Sequence, residues 1–359
     1  VITQLLFGVN SLYMAAATYF GFVQYWQIIV IAVLNGLVAC VEMPTRQSVT
    51  SRVVPMEDLA AAVPVNAMTF NVARIAGQAI GGLLLSVLGV FGCYLADGIS
   101  YLALIFSIRT IRADLSPPKR AQGSLRDLVT EGALYAWRDV RLRTLFFLEL
   151  ATALFGLSYA PLLPAYALDI LAHGNAKANV HIYTLAGVSI GVGAFAGLLL
   201  ITQLAHSRRK GWLIRGSIAL IAVGLLGLAF TDRPWVAYPL FAMAGAGGIM
   251  QLNTTNALFQ TLAPERLHGR VLAMHVWALN GLSPFGVLML GNIARSTKSN
   301  AAFPLHGGVP FAFLLGGALM TALLGISLFL RAGLSKLHRD PDPDVAAEIA
   351  IGTPGATLR

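Results

Sequence analysis

Ten apolar stretches, each long enough to cross a bilayer, fill most of the 359 residues, and a basic loop at Arg109–Arg143 divides them four before and six after. A hydrocarbon core about 30 Å thick needs roughly 20 apolar residues of helix. The stretches run over Ile2–Phe20, Tyr25–Val41, Val63–Leu88, Val90–Ile108, Leu145–Tyr166, Tyr183–Leu204, Trp212–Phe230, Trp235–Phe259, Val271–Ile293 and Val309–Leu330. They are too long, and too uniformly apolar, for the alternating strands of a barrel. A chain that is 57% hydrophobic and 11% charged also lacks the polar surface to cover a soluble fold of this size. An all-α, multi-pass membrane protein follows.

The net charge of +9 would suit a nucleic-acid binder, but its placement says otherwise. With Val1 threaded on the cytoplasmic side, twenty of the 25 Lys and Arg residues fall on that side. Four fall outside (Lys177, Arg233, Arg295, Lys298) and Arg74 lies within a span, with Arg215, at the cytoplasmic start of the seventh, counted among the twenty. This is the positive-inside bias of a membrane protein with a cytoplasmic C-terminus, and no nucleic-acid partner is expected. Cys40 and Cys93 lie in or beside spans, so no disulfide framework is indicated.

Four regions are expected: an incomplete four-helix bundle at 1–108, a linker at 109–143, a six-helix bundle at 144–330 and a disordered cytoplasmic tail at 331–359. The linker pattern from Ser124 has helical spacing and predicts an amphipathic helix, with Arg138, Arg141 and Arg143 at the lipid surface. A weak repeat relates the halves. P-T-R-Q-S-V-T-S-R-V-V-P (Pro44 to Pro55) follows the second span, and N-T-T-N-A-L-F-Q-T-L-A-P (Asn253 to Pro264) follows the eighth. Pairing these leaves the fifth and sixth spans without counterparts, so ten of an expected twelve helices are present. Parallel repeats of this kind build one large class of secondary transporters.

The run Pro44 to Gly82, ending A-R-I-A-G-Q-A-I-G-G, together with Q-T-L-A-P-E-R-L-H-G-R-V (Gln260 to Val271), resembles the major facilitator superfamily. It is similar to the bacterial branch containing enterobactin exporters and macrolide efflux proteins, although related exporters commonly carry Gly-Pro where Gly77-Gln78 stands here. The resemblance implies a two-bundle fold working by alternating access in the bacterial inner membrane. It also implies proton-coupled antiport of a small amphiphilic molecule such as a siderophore, macrolide or drug. Related transporters begin with two further helices, so Val1 is expected to be a truncation point. A lysophospholipid-moving facilitator and a non-transporting receptor or assembly factor are the alternatives. A monomer is expected, with protons, substrate and lipid as its partners.

Ionisable residues inside spans are costly and mark sites. Arg74 in the third span must face a polar cavity or a partner. Asp97 in the fourth and Glu149 in the fifth could load and release protons, since burial destabilises the charged carboxylate; the alternative for each is a satisfied structural ion pair. Asn66, Asn71, Asn253, Asn256 and His275 would line a wet cavity or bond between helices. Gly77, Gly81, Gly82, Gly187 and Gly191 have the small-residue spacing that lets backbones approach, as static packing or as sliding surfaces.

No enzymatic activity, cofactor or metal is expected. None of the five lysines follows a glycine, so there is no P-loop. Gly187-Val-Ser-Ile-Gly191 matches a nucleophile elbow in letters but lies within one apolar helix rather than at a strand-to-helix turn. The threading makes a direct prediction. Reporter fusions at Asn175 and Ser299 should read the outside and those at Gln122, Arg209 and Ser335 the cytoplasm; Asn175 and Arg209 on one side would break it.

Overall fold

The computed structural model describes residues 1–53, 59–110, 134–204, 210–264, 267–298 and 307–329, with Leu334 and Leu337; for most of 40–79 and for 268, 269 and 280 it describes the backbone alone. Of the expected linker helix from Ser124, residues 124–133 lie outside the described residues and 134–138 are helical. The chain forms two units, residues 1–120 and 121–359. Among the described residues there is no strand. In hydrocarbon this is the chain's simplest way to satisfy every backbone N–H and C=O.

The first unit contains α1 (Ile2–Phe20), α2 (Tyr25–Val53) and α3 (Leu59–Thr110). Gly21 closes α1 in the left-handed conformation at φ 74°, where a side chain would be strained. Gly89, at φ 68°, breaks α3 between Leu88 and Val90, where the sequence reading divides two spans. The arms fold back on each other, with Cys93 Sγ 3.6 Å from the Gly81 carbonyl oxygen. Helix α2 runs past the expected end at Val41 to Val53, so the first repeat motif is mostly helix rather than loop.

The second unit contains α4 (Val140–Ala151), α5 (Leu163–Tyr166), α6 (Ala176–Gln203), α7 (Lys210–Ala229), α8 (Pro234–Leu262), α9 (His268–Val276), α10 (Leu282–Thr297) and α11 (Gly308–Phe329). A π turn at Thr152–Gly156 and a 3-10 turn at Ala160–Leu162 carry α4 into α5, a second π turn at Ala167–Leu171 follows, and a third at Trp277–Gly281 joins α9 to α10. Glycines bring the helices together. A Cβ on Gly193 of α6 would strike the Ala242 backbone of α8, one on Gly197 would lie 2.7 Å from the Ala246 oxygen, and one on Gly245 would strike Ile190. Gly187 and Gly191 are buried in the same helix. Gly77 and Gly81 differ, since among the described residues nothing lies within 4 Å of a Cβ built on either.

Aromatic packing and backbone caps close the second unit. The Tyr166 hydroxyl lies 2.7 Å from the Leu228 carbonyl and 2.8 Å from that of Thr231, where α7 ends. Its ring packs on Phe241 and Phe313. Two expectations fail here. Arg141 is buried rather than at the lipid surface, because Asp139 caps α4 and takes the guanidinium at 2.7 Å, neutralising it in place. Leu334 and Leu337, assigned to the disordered tail, are buried in this unit's core.

Seven helical stretches among the described residues are long and apolar enough to span a membrane, against the ten expected. Gln4 and Asn10 dilute α1, and the described apolar part of α2 is only Tyr25–Ala39. Exposed Trp26, Trp212 and Trp235 stand beside helix starts, where amphipathic rings sit at the headgroup level.

The glycine contacts can be tested. Gly193→Ala should lower stability by about 1–3 kcal/mol through overpacking, whereas Gly77→Ala should be neutral or slightly stabilising, as removal of a helix-interior glycine. Thermal unfolding midpoints in detergent would check both.

Candidate functional site

The second unit's own helices bring two of the expected site residues together. Glu149 projects from the last turn of α4, just before the π turn at Thr152–Gly156. His275 projects from the end of α9, just before the π turn at Trp277–Gly281. A π turn takes an extra residue and often marks a functional site in a helix. His275 Nδ1 lies 2.8 Å from each carboxylate oxygen of Glu149. Thr255 of α8 completes the group, its hydroxyl 2.9 Å from Glu149 Oε1.

Burial sets the energetics. Glu149 and Thr255 are 0% exposed and His275 4%. A carboxylate so enclosed must be paired and hydrogen-bonded or become neutral. Apolar contacts fix the geometry. Phe259 of α8 packs on the His275 ring at 5.4 Å between centroids, and Phe146, three residues before Glu149, stacks on Trp277. Behind Thr255, the Gln251 side chain lies 2.5 Å from Ser217 Oγ on α7, with Gln251 Nε2 buried and unpartnered. The polar thread therefore runs from α7 through α8 to α4 and α9.

The other expected site residues are elsewhere. Asp97 belongs to the first unit, is exposed on α3, and accepts a 2.5 Å hydrogen bond from Ser11 of α1. Close to it, Gly8 faces Tyr101 and Gly98 faces Leu12, so the two helices meet there. Asn10 bonds Asn35 at 2.7 Å, and Gln4 bonds Glu42 at 3.3 Å. Asn253 donates to Ile249 O and Asn256 accepts from Gln260, both within α8, so neither joins the Glu149 group. The side chains of Asn66, Asn71 and Arg74 lie outside the described residues. Gly82 is half-buried on α3. Ser189 is half-buried on the unbroken α6 and donates to Leu185 O, as helix serines do.

Thr255, Ser217, Ser11 and Arg215 were not singled out in sequence. Arg215 donates from Nη2 to Ser327 O at 2.8 Å, tying α7 to α11. For Thr255 a signal existed, in the polar run Asn253–Asn256 one to two turns before the end of a span. Removing one member of a buried pair strands the other. His275→Ala should therefore cost about 3–5 kcal/mol, and Glu149→Gln, which keeps hydrogen-bonding groups, much less, as thermal unfolding would show.

Known proteins share the sequence and the fold. The profile of the transmembrane secretion effector family matches residues 1–351. The multidrug efflux pump Tap of Mycolicibacterium fortuitum is 27% identical over 241 residues, 65% of this chain and 56% of the pump. The enterobactin exporter EntS of Citrobacter koseri is 25% identical over 299 residues, 81% of this chain and 67% of the exporter. The matched part of the chain thus spans a little over half of the first relative's length and two thirds of the second's. The inward-facing, unoccupied structure of a bacterial homologue of the human lysosomal transporter Spinster superposes with a TM-score of 0.66 at 13% identity, covering 95% of this chain and 84% of its own. A family profile running almost end to end, on a helical membrane fold shared with a known transporter, makes this chain a member of the transmembrane secretion effector family of the major facilitator superfamily.

Proposed function

We propose that the protein exports a small amphiphilic molecule across the bacterial inner membrane in exchange for protons. It works by alternating access as a monomer with its C-terminus in the cytoplasm. In this reading Glu149 and His275 bind the coupling proton, and Asp97 and Arg74 belong to the other bundle's polar surface. The observation that carries it is the fully buried Glu149 carboxylate, touched by His275 and Thr255 from two other helices. A carboxyl group so enclosed must be paired and hydrogen-bonded or be neutral, so its charge is tied to the helices that carry its partners. That requirement suits a transporter that couples proton binding to a change of shape. The efflux and siderophore-export activities of the relatives support the amphiphilic substrate class.

The test uses the protein in sealed vesicles with an imposed proton gradient, and ethidium, erythromycin and enterobactin as probes. Glu149→Gln should abolish gradient-driven accumulation of a transported probe while downhill exchange persists. Uphill rates equal to wild type in Glu149→Gln would remove Glu149 from coupling.

A further inference from the structure

A buried carboxyl group that gains and loses a proton has a second requirement: its surroundings must satisfy both forms. The ionised carboxylate wants donors on its oxygens, and the neutral acid needs an acceptor for its own O–H. Thr255 stands where one side chain can serve both. Its hydroxyl oxygen is 2.9 Å from Glu149 Oε1 and 2.8 Å from the Gln251 carbonyl oxygen one turn earlier in α8. One hydrogen is available to two acceptors at nearly equal distance.

The geometry points to Thr255 as a positioning residue that switches its hydroxyl between Glu149 and the Gln251 carbonyl as the carboxyl group ionises and reprotonates. This rests on the reading of Glu149 as the proton-binding group. With Glu149 ionised, Thr255 donates to Oε1 and His275 Nδ1–H donates to the carboxylate. When a proton arrives on Oε1, that O–H donates to Thr255 Oγ1, and the threonine hydrogen turns to the Gln251 carbonyl. His275 keeps its proton and its contact with Oε2. Only a hydroxyl rotation separates the two states, and Glu149 and Thr255 are hydrogen-bonded in both.

The neighbours support a local switch. Helix α4 itself carries Arg141, already held by Asp139, and Arg143, at the carbonyl and ring of Trp137. On the elements packed against α4, the ionisable side chains described are Tyr238 on α8 and Arg270 and His275 on α9; α7 and α10, which pack against the π turn after α4, add Lys210, Arg215 and Arg295. Among the described residues His275 is the only ionisable group touching Glu149. Helix α11 contributes none. Apart from the histidine, Thr255 is therefore the polar group that can respond to the carboxyl's charge.

The experiment reads the Glu149 proton directly. The full protein in lipid nanodiscs is titrated by infrared spectroscopy, following the protonated-carboxyl band that Glu149→Gln removes. Thr255→Val deletes the hydroxyl at constant shape and so removes a charge-assisted hydrogen bond from the ionised form and only a weaker neutral one from the acid, a net loss for the ionised form. The midpoint of that band should rise by about one pH unit or more, a tenfold change in proton binding, and Thr255→Ser should restore it. Thr255→Ala makes the same deletion if the valine variant does not insert. Midpoints that coincide in wild type and the hydroxyl-deleted variant, or a serine variant that behaves like it, would overturn the switch. Because the band is read without transport, a failed switch is distinguishable from a Glu149 that titrates but does not couple.

Discussion

Lipid gives helices no hydrophobic reason to associate, so the second unit depends on places where backbones touch. Gly193, Gly197 and Gly245 bring α6 and α8 to van der Waals contact, and Gly247 does the same between α8 and α7, where a Cβ would lie 2.6 Å from the Ser217 oxygen. With α8 fixed on both sides, Thr255 can stand between α4 and α9. The polar site is a consequence of that rigid packing. Of the glycines expected to allow either static packing or sliding, Gly187 and Gly191 are buried in α6, whereas among the described residues nothing lies within 4 Å of a Cβ on Gly77 or Gly81.

The span pattern was legible because hydrocarbon allows one kind of backbone and penalises charge. The break at Gly89 was legible for a related reason, since a glycine between two span-length apolar runs can adopt a conformation other residues avoid. The Glu149 site was only half legible. Glu149, Thr255 and His275 each lie a short way from a helix end on the side the threading places in the cytoplasm, so their common depth could be inferred. Their facing could not. Azimuth depends on how three helices pack and on two π turns, and neither leaves a periodic mark in an all-apolar sequence.

Charge near the membrane surface misled for a different reason. Arg141 reads as a snorkelling residue because arginine at a span edge usually reaches for headgroups. Asp139, two residues earlier, offers both a helix cap and a planar partner for the guanidinium, and the pair is buried together. Likewise Leu334 and Leu337 sit in a segment whose average composition is polar, and averages conceal two well-placed leucines. A Cβ on Gly211 would lie 2.7 Å from the Leu334 oxygen, so the small residue at the start of α7 makes room for that segment.

The π turns have a consequence for evolutionary comparison. Each holds one residue more than the α-helix around it needs, so α4 and α9 behave as helices into which a single residue has been inserted beside the buried pair. Removing that residue would turn the flanking segments by about 100° relative to each other and carry Glu149 or His275 off the shared axis. Relatives that lack the pair should therefore differ by a one-residue gap inside a membrane helix, a place where alignments are seldom opened.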